Sequence, residues 1–354
     1  MQVLFAPLQG YTTGIYRKAH AEIFGGVNAY YAPFLRIENG RPREKDLRDI
    51  EGDFGSGRDL IAGGQDLIAG AKTVPQIIAN SVDEFRTLAD AIVQKGFTEI
   101  DFNMGCPFPM QVSRHRGAGL LSDTQTVKAI MDEIARLTAK DSVKFSVKMR
   151  LGQDSPDEAF ALLPILNGTP LAHITLHPRL GRQQYKGAID FTAFVRFYEE
   201  CRHPLVYNGD ITSVGQIRKM ESGYPKLAGI MIGRGLLARP SLAAEYKAAA
   251  DASTITERDL LGKILTMHSR LYEHARSTYQ GDSQILSHIK SFWEYLEPSI
   301  PKKAFKKIKK AGNLGEYDAA VQSLDMELAD GKRVHRNNGF LQPAMQFLPL
   351  RNGW

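Results

Sequence analysis

Along the first 250 residues, short apolar β-branched runs alternate with longer stretches whose apolar positions recur at helical spacing. The runs fall at 3–7, 29–34, 74–79, 99–104, 144–149, 173–177, 205–208 and 229–233. Between most of them the period changes to that of a helix. Over 82–95, Val82, Phe85, Leu88, Ala89 and Ile92 share one stripe, and 123–137 opens on an acidic residue, Asp123. Segments 156–166, 191–200 and 214–220 serve as later crossovers. Eight β runs alternating with helices predict parallel βαβ units, and eight is the number that closes a (β/α)8 TIM barrel. A doubly wound open sheet competes. That fold carries its glycine fingerprint after the first strand, where this chain has Ala6-Pro7.

Beyond residue 252 the β runs stop, and 257–272, 283–296, 302–311 and 317–328 read as helices. The chain therefore divides into a barrel over 1–250, a small all-α domain over 251–330 and an irregular basic tail over 331–354. The segment from Asp59 to Gly64 is echoed by Asp66 to Gly70 and reads as loop rather than repeat.

Composition narrows the class. The chain has 354 residues, 43% of them hydrophobic and 24% charged, which is ordinary for a globular protein with a large core. Two cysteines exclude a disulfide scaffold and a four-cysteine zinc site. No apolar run approaches the roughly 18 residues of a membrane helix, and the start resembles no signal peptide. A protein of the reducing cytoplasm is expected, with no membrane and no metal, acting as a monomer. Of the net charge of +6, Lys302–Lys310 holds six and the tail four, which leaves the remainder at −4. Concentrated positive charge suits a phosphate backbone. It equally suits a solvated lysine face with Phe305 and Ile308 turned inward.

In a parallel barrel, the side chains that meet substrate stand at the C-terminal ends of the strands. Here those ends carry Gln76 and Asn80, Asn103 and Cys106, Lys148 and Arg150, His177 and Arg179, Asn208 and Asp210, and Gly233-Arg234-Gly235. Each has a plain alternative. Gln76 could be a satisfied core amide, Cys106 an inert buried thiol and His177 a strand cap. No second ligand lies at metal spacing from His177. Lys148, in a run that would bury it, calls for an anionic or electron-rich partner. Gly233-Arg234-Gly235 suits phosphate, through free backbone N–H groups and one guanidinium.

On these residues the chain resembles the tRNA-dihydrouridine synthase family of FMN-dependent enzymes. The matching elements are Ala6-Pro7-Leu8-Gln9-Gly10, Pro75-Gln76-Ile77, Asn103-Met104-Gly105-Cys106-Pro107, Gly117-Ala118-Gly119 and Val147-Lys148-Met149-Arg150-Leu151-Gly152. They continue through His177 with Arg179, Asn208-Gly209-Asp210 and Ile232-Gly233-Arg234-Gly235, in family order. Three places depart from the family pattern: Thr13, Leu180, and Phe108 with Pro109 and Met110.

The resemblance implies a flavin site of Pro7, Gln76, Lys148, His177, Asn208, Asp210, Gly233 and Arg234. It implies Asn103 orienting the uracil, Arg179 near the substrate and Cys106 as the general acid. NADPH is the implied reductant of FMN, with hydride passing from flavin N5 to uracil C6 and a proton from Cys106 to C5. In that setting Lys302, Lys306 and Lys309 are expected on a tRNA-facing surface, because extruding a base costs a few kcal/mol that backbone contacts offset. An FMN-dependent barrel reductase of a free pyrimidine or enone is the competing expectation, and an RNA-binding scaffold without activity a third.

Overall fold

The computed structural model describes residues 1–51, 67–68, 70–248 and 255–329. The first strand, Gln2–Phe5, pairs in parallel with the second, Ala29–Tyr31, and with the last, Leu227–Ile232. The others are Glu99–Met104, Lys144–Gly152, Leu171–Leu180 and Leu205–Asn208, each parallel to its neighbours. Closure happens at the third position. Ala71–Val74 pairs with the second strand and Gln76–Ile77 with the fourth. These pieces are one run broken at Pro75, which has no N–H to give, although its carbonyl still accepts from the Asp101 N–H at 2.9 Å. Taken as one strand, they complete an eight-stranded parallel barrel.

The crossover helices start where side chains satisfy their first N–H groups. Ser81 accepts from Glu84 N, Asp123 from Thr126 N, Asp190 from Ala193 N and Ser213 from Gln216 N. The fifth and sixth strands run further than their apolar pattern, to Gly152 and Leu180, because their last lumen-facing residues are arginines. Two helices, Gly14–Ile23 and Glu44–Glu51, were not legible in the periodicity. The second buries only Asp46 and Ile50, too few apolar positions to show a stripe. A hairpin of Ile37–Glu38 and Arg41–Pro42 turns on Asn39 and Gly40, both at positive φ, the signature of an Asn-Gly turn. Of the 59–70 segment, Leu67–Ile68 forms a short antiparallel strand against Ala71–Val74 rather than loop. Residues 59–66 and 69 lie outside the described residues.

The lumen is divided by chemistry. Leu4, Ala6, Ala29, Tyr31, Val74, Val206 and Met231 form a small apolar cluster on strands one, two, three, seven and eight. On strands three to six, residues in lateral register with one another are polar. Gln76 lies beside Asp101, Asp101 beside Ser146, Asn103 beside Lys148, Lys148 beside Thr175 and Arg150 beside His177. The polar residues of strands three to six therefore stand side by side in one arc.

After the barrel come Glu257–Thr278, Asp282–Trp293, Lys302–Lys310 and Leu314–Ala329. The expected boundary at 250 falls among undescribed residues, as does the tail over 331–354. The helical region is not detached, since one apolar cluster runs from Val3 to Leu324. Arg270 pairs with Glu22 and the Ser299 hydroxyl donates to the Ala238 carbonyl at 2.6 Å. On the lysine helix, Ala304, Phe305 and Ile308 are buried and all six lysines are exposed, as the amphipathic pattern requires. Among the described residues no helix is long and apolar enough to cross a membrane.

Candidate active site

The fourth strand ends at Met104, and the chain then turns over the barrel mouth through Gly105 and Cys106. The turn is held from below by Asn103, whose Oδ1 accepts from the N–H groups of Gly105 (3.0 Å) and Cys106 (2.8 Å). It is held from the side by Arg150, whose Nε donates to the Gly105 carbonyl at 3.0 Å while Nη1 donates to Leu180 O at 2.9 Å. Gly117, at φ +61°, packs behind it: a Cβ there would stand 2.8 Å from Cys106 Cβ. Burial pushes the Cys106 thiol up from its usual range, against a smaller downward pull from the Phe108 N–H, Arg150 and Lys148. The thiol is therefore protonated at neutral pH.

Below the turn lies a buried polar chain. Asn103 Nδ2 donates to Gln76 Oε1 at 2.7 Å, and Gln76 Nε2 donates to Asp101 Oδ2 at 2.6 Å. Ser146 Oγ donates to the other Asp101 oxygen at 2.6 Å. Burial raises the Asp101 carboxyl to about 6 despite these donors and Lys148. Gln76 is thus a satisfied buried amide and a member of the site at once. Lys148 Nζ makes no hydrogen bond or ion pair with any described residue. Burial, then Arg150, lower it to about 8, while Asp101 and Cys106 act in the opposite direction.

Around the rim, cations outnumber anions. His177 is held neutral, its pKa far below the usual value through burial and then Arg150, Lys148, Arg179 and Arg234. Its Nε2 lies 3.3 Å from Arg179 Nη1 and so accepts, which puts the ring proton on Nδ1. Asp210, at φ +44°, is clamped between two guanidiniums. It accepts from Arg179 through both oxygens and from Arg234 Nη2 at 2.9 Å. Asp210 and Arg179, expected at the cofactor and the substrate, are thus brought together with Arg234 in one ion-pair cluster. The Asp210 carboxylate is turned to arginines rather than outward, and Arg179, 3% exposed, is spent on Asp210 and the Gly187 carbonyl.

Asn208 Nδ2 donates to Met231 O at 2.8 Å and ties the last two strands. Gly233 begins the short helix Arg234–Ala238 and lies against Leu8 and Ala6, so Pro7 and the phosphate-type loop share one side of the mouth. Lys302, Lys306 and Lys309 are not at the mouth chemistry. They stand on their own helix, and none of them is ion-paired among the described residues.

Residue patterns missed three participants. Tyr185, half-exposed on the loop after the sixth strand, carries the Arg234 guanidinium 4.6 Å and the Arg150 guanidinium 5.5 Å from its ring centroid. Tyr11 donates to Glu294 at 2.7 Å and meets Tyr295 ring to ring at 5.2 Å, which brings the helical region to the loop after the first strand. Asp101 stood in the sequence as one more acid in a β run, with nothing local to show its partners.

The donor set fits a planar, electron-rich ring with an attached phosphate. It offers an unpaired ammonium, a buried amide with one uncommitted N–H and an exposed guanidinium beside a glycine-opened helix start. The profile of the family described as dihydrouridine synthase (Dus) matches residues 5–327. A relative in Pseudomonas syringae pv. tomato, a tRNA-dihydrouridine(16) synthase, is 29% identical over 70% of this chain and 75% of its own. A tRNA-dihydrouridine(16) synthase of Haemophilus ducreyi is 25% identical over 85% and 87%. Among solved structures, morphinone reductase superposes with a TM-score of 0.50 at 10% identity, covering 73% of this chain and 88% of that one.

Proposed function

The chain belongs to the dihydrouridine synthase family, and from that premise we propose that it reduces uridines of tRNA to 5,6-dihydrouridine. FMN is the bound cofactor in this reading, NADPH its reductant and Cys106 the proton donor. When bound, the flavin supplies a hydride to C6 of the uracil ring. Everything else falls to the chain's own residues. Lys148 faces the electron-rich edge of the ring, and Gln76 offers it an N–H. Pro7, Asn208, Gly233 and Arg234 line the side that takes the ribityl chain and phosphate, with Asp210 and Arg179 aiming Arg234 and His177 filling the rim as a neutral ring. Asn103 keeps one N–H for a uracil carbonyl. Cys106 Sγ–H then gives its proton to C5, completing the addition of hydride and proton across the C5–C6 bond.

The observation that carries this reading is the turn bearing Cys106, fixed by the Asn103 amide and the Arg150 guanidinium above a buried Gln76–Asp101 pair. Positioned acids contribute about 10²–10⁴-fold. The variant Cys106→Ala is expected to keep its flavin, read by absorbance, and to form dihydrouridine at least about a hundredfold more slowly. Undiminished activity in that variant would remove Cys106 as the acid.

The helical region is the tRNA-binding unit of this reading, and the cytoplasm its place of action. Relatives named for position 16 make that uridine the first to map, by sequencing dihydrouridine sites in tRNA with and without the protein.

A further inference from the structure

We propose that Asp101 is a positioning residue that holds the Gln76 and Asn103 amides in one orientation and, through them, the loop carrying Cys106. The inference rests on the proposed role of Cys106. Asp101 is fully buried, and its two oxygens are taken by Gln76 and Ser146.

The direction of each bond is what matters. An ionised carboxylate only accepts, so Gln76 must turn its NH₂ toward Asp101 and its Oε1 toward Asn103. Asn103 must then give its NH₂ to Gln76, at 2.7 Å, and keep Oδ1 for the loop. At the far end, the N–H groups of Gly105 and Cys106 can only donate. Between an obligate acceptor and two obligate donors, two amides have a single arrangement in which every bond is made. That arrangement leaves one N–H on each amide uncommitted. Without Asp101, Gln76 Nε2 and the Ser146 hydroxyl would lose their acceptor in a dry lumen, and the first link of the chain would be free to turn.

The test separates hydrogen bonding from charge. In Asp101→Asn, Oδ1 can still accept from Gln76 while Nδ2 donates to Ser146 Oγ, whose hydroxyl rotates to receive it. This variant is expected to keep kcat within about threefold. Asp101→Ala is expected to lower kcat about ten- to a hundredfold with little change in KM for tRNA, because a misplacement of about 1 Å suffices. A second readout needs neither cofactor nor turnover: alkylation of Cys106 by iodoacetamide in flavin-free protein, followed on the Cys106 peptide by mass spectrometry. The rate should rise several-fold in Asp101→Ala and stay at the parental value in Asp101→Asn.

Should Asp101→Ala not fold, Asp101→Asn/Ser146→Ala serves instead. Its Nδ2 has no acceptor, so it should lose what Asp101→Asn retains, and it should lose more than Ser146→Ala alone, in which Asp101 still accepts from Gln76. The proposal is overturned if Asp101→Asn is as impaired as Asp101→Ala. It is equally overturned if neither the alanine variant nor the double variant alters kcat or alkylation. Parental protein that forms no dihydrouridine would sink the proposed function while leaving the alkylation comparison intact.

Discussion

Lys148 is a buried cation that makes no hydrogen bond or ion pair among the described residues. Burial and Arg150 bring it to about 8, and no described side chain offers it a hydrogen bond in return. A buried ammonium so placed is stabilised by whatever anion arrives. Flavin affinity is therefore expected to fall as pH rises through about 8, where the free ammonium loses its proton. Lys148→Met should weaken binding about ten- to a hundredfold, the worth of one charged hydrogen bond, and abolish that pH dependence. Fluorescence titration of FMN between pH 6.5 and 9.5 checks both, and a pH profile unchanged in the variant would assign it to another group. Lys148 and Gln76 were legible as polar residues inside β runs. Asp101 and Tyr185 were not, because their significance lies in partners 25 to 49 residues away.

At the scale of elements, the helix Lys302–Lys310 shows how a pattern specifies a surface. Ala304, Phe305 and Ile308 fasten one face, and the six lysines share the other without an acid among them. The energetic cost of that crowding is small in water and salt, but a polyanion would release its counterions there. Lys302→Glu, Lys306→Glu and Lys309→Glu together should leave folding unchanged, since all three are exposed. They should weaken tRNA binding more than about tenfold and flatten the salt dependence by about two to three units of slope. Filter binding from 50 to 300 mM salt measures this, and an unchanged slope would place the RNA elsewhere. The crossover helix after Asp123 was readable from that acid before an apolar stripe. Glu44–Glu51 was not, because a helix of eight residues with one buried aliphatic has no period to read.

For the whole molecule, buried histidines set the acid limit. His20, His173 and His268 are lowered to about 4 by burial, and His177 lies well below its usual value. Below pH 6.5 the unfolded chain binds protons at these sites that the folded chain refuses, so stability falls as pH drops from about 6.5 toward 4. The carboxyls of Asp101, raised to about 6, and Asp46, also raised by burial, work the other way, since their penalty on the folded state is relieved as pH falls, but they are two groups against four. Unfolding at pH 5 is thus expected to take up about two to three protons. The melting temperature should decline steadily from pH 7 to 5, and calorimetry in buffers of different ionisation enthalpy reads the uptake directly. A flat profile would mean that the histidines are solvated in the native state.

The alternation of periods, the acid that opens 123–137 and the polar strand ends determined the barrel, its following helices and the candidate residues of the mouth, because those signals are local. Only the closed structure decided that Pro75 splits a strand to complete the ring, that the polar residues of strands three to six meet side by side, and that Asp210 meets both Arg179 and Arg234. Those outcomes depend on lateral register and on which charges meet after closure, and neither is written in any window of the chain.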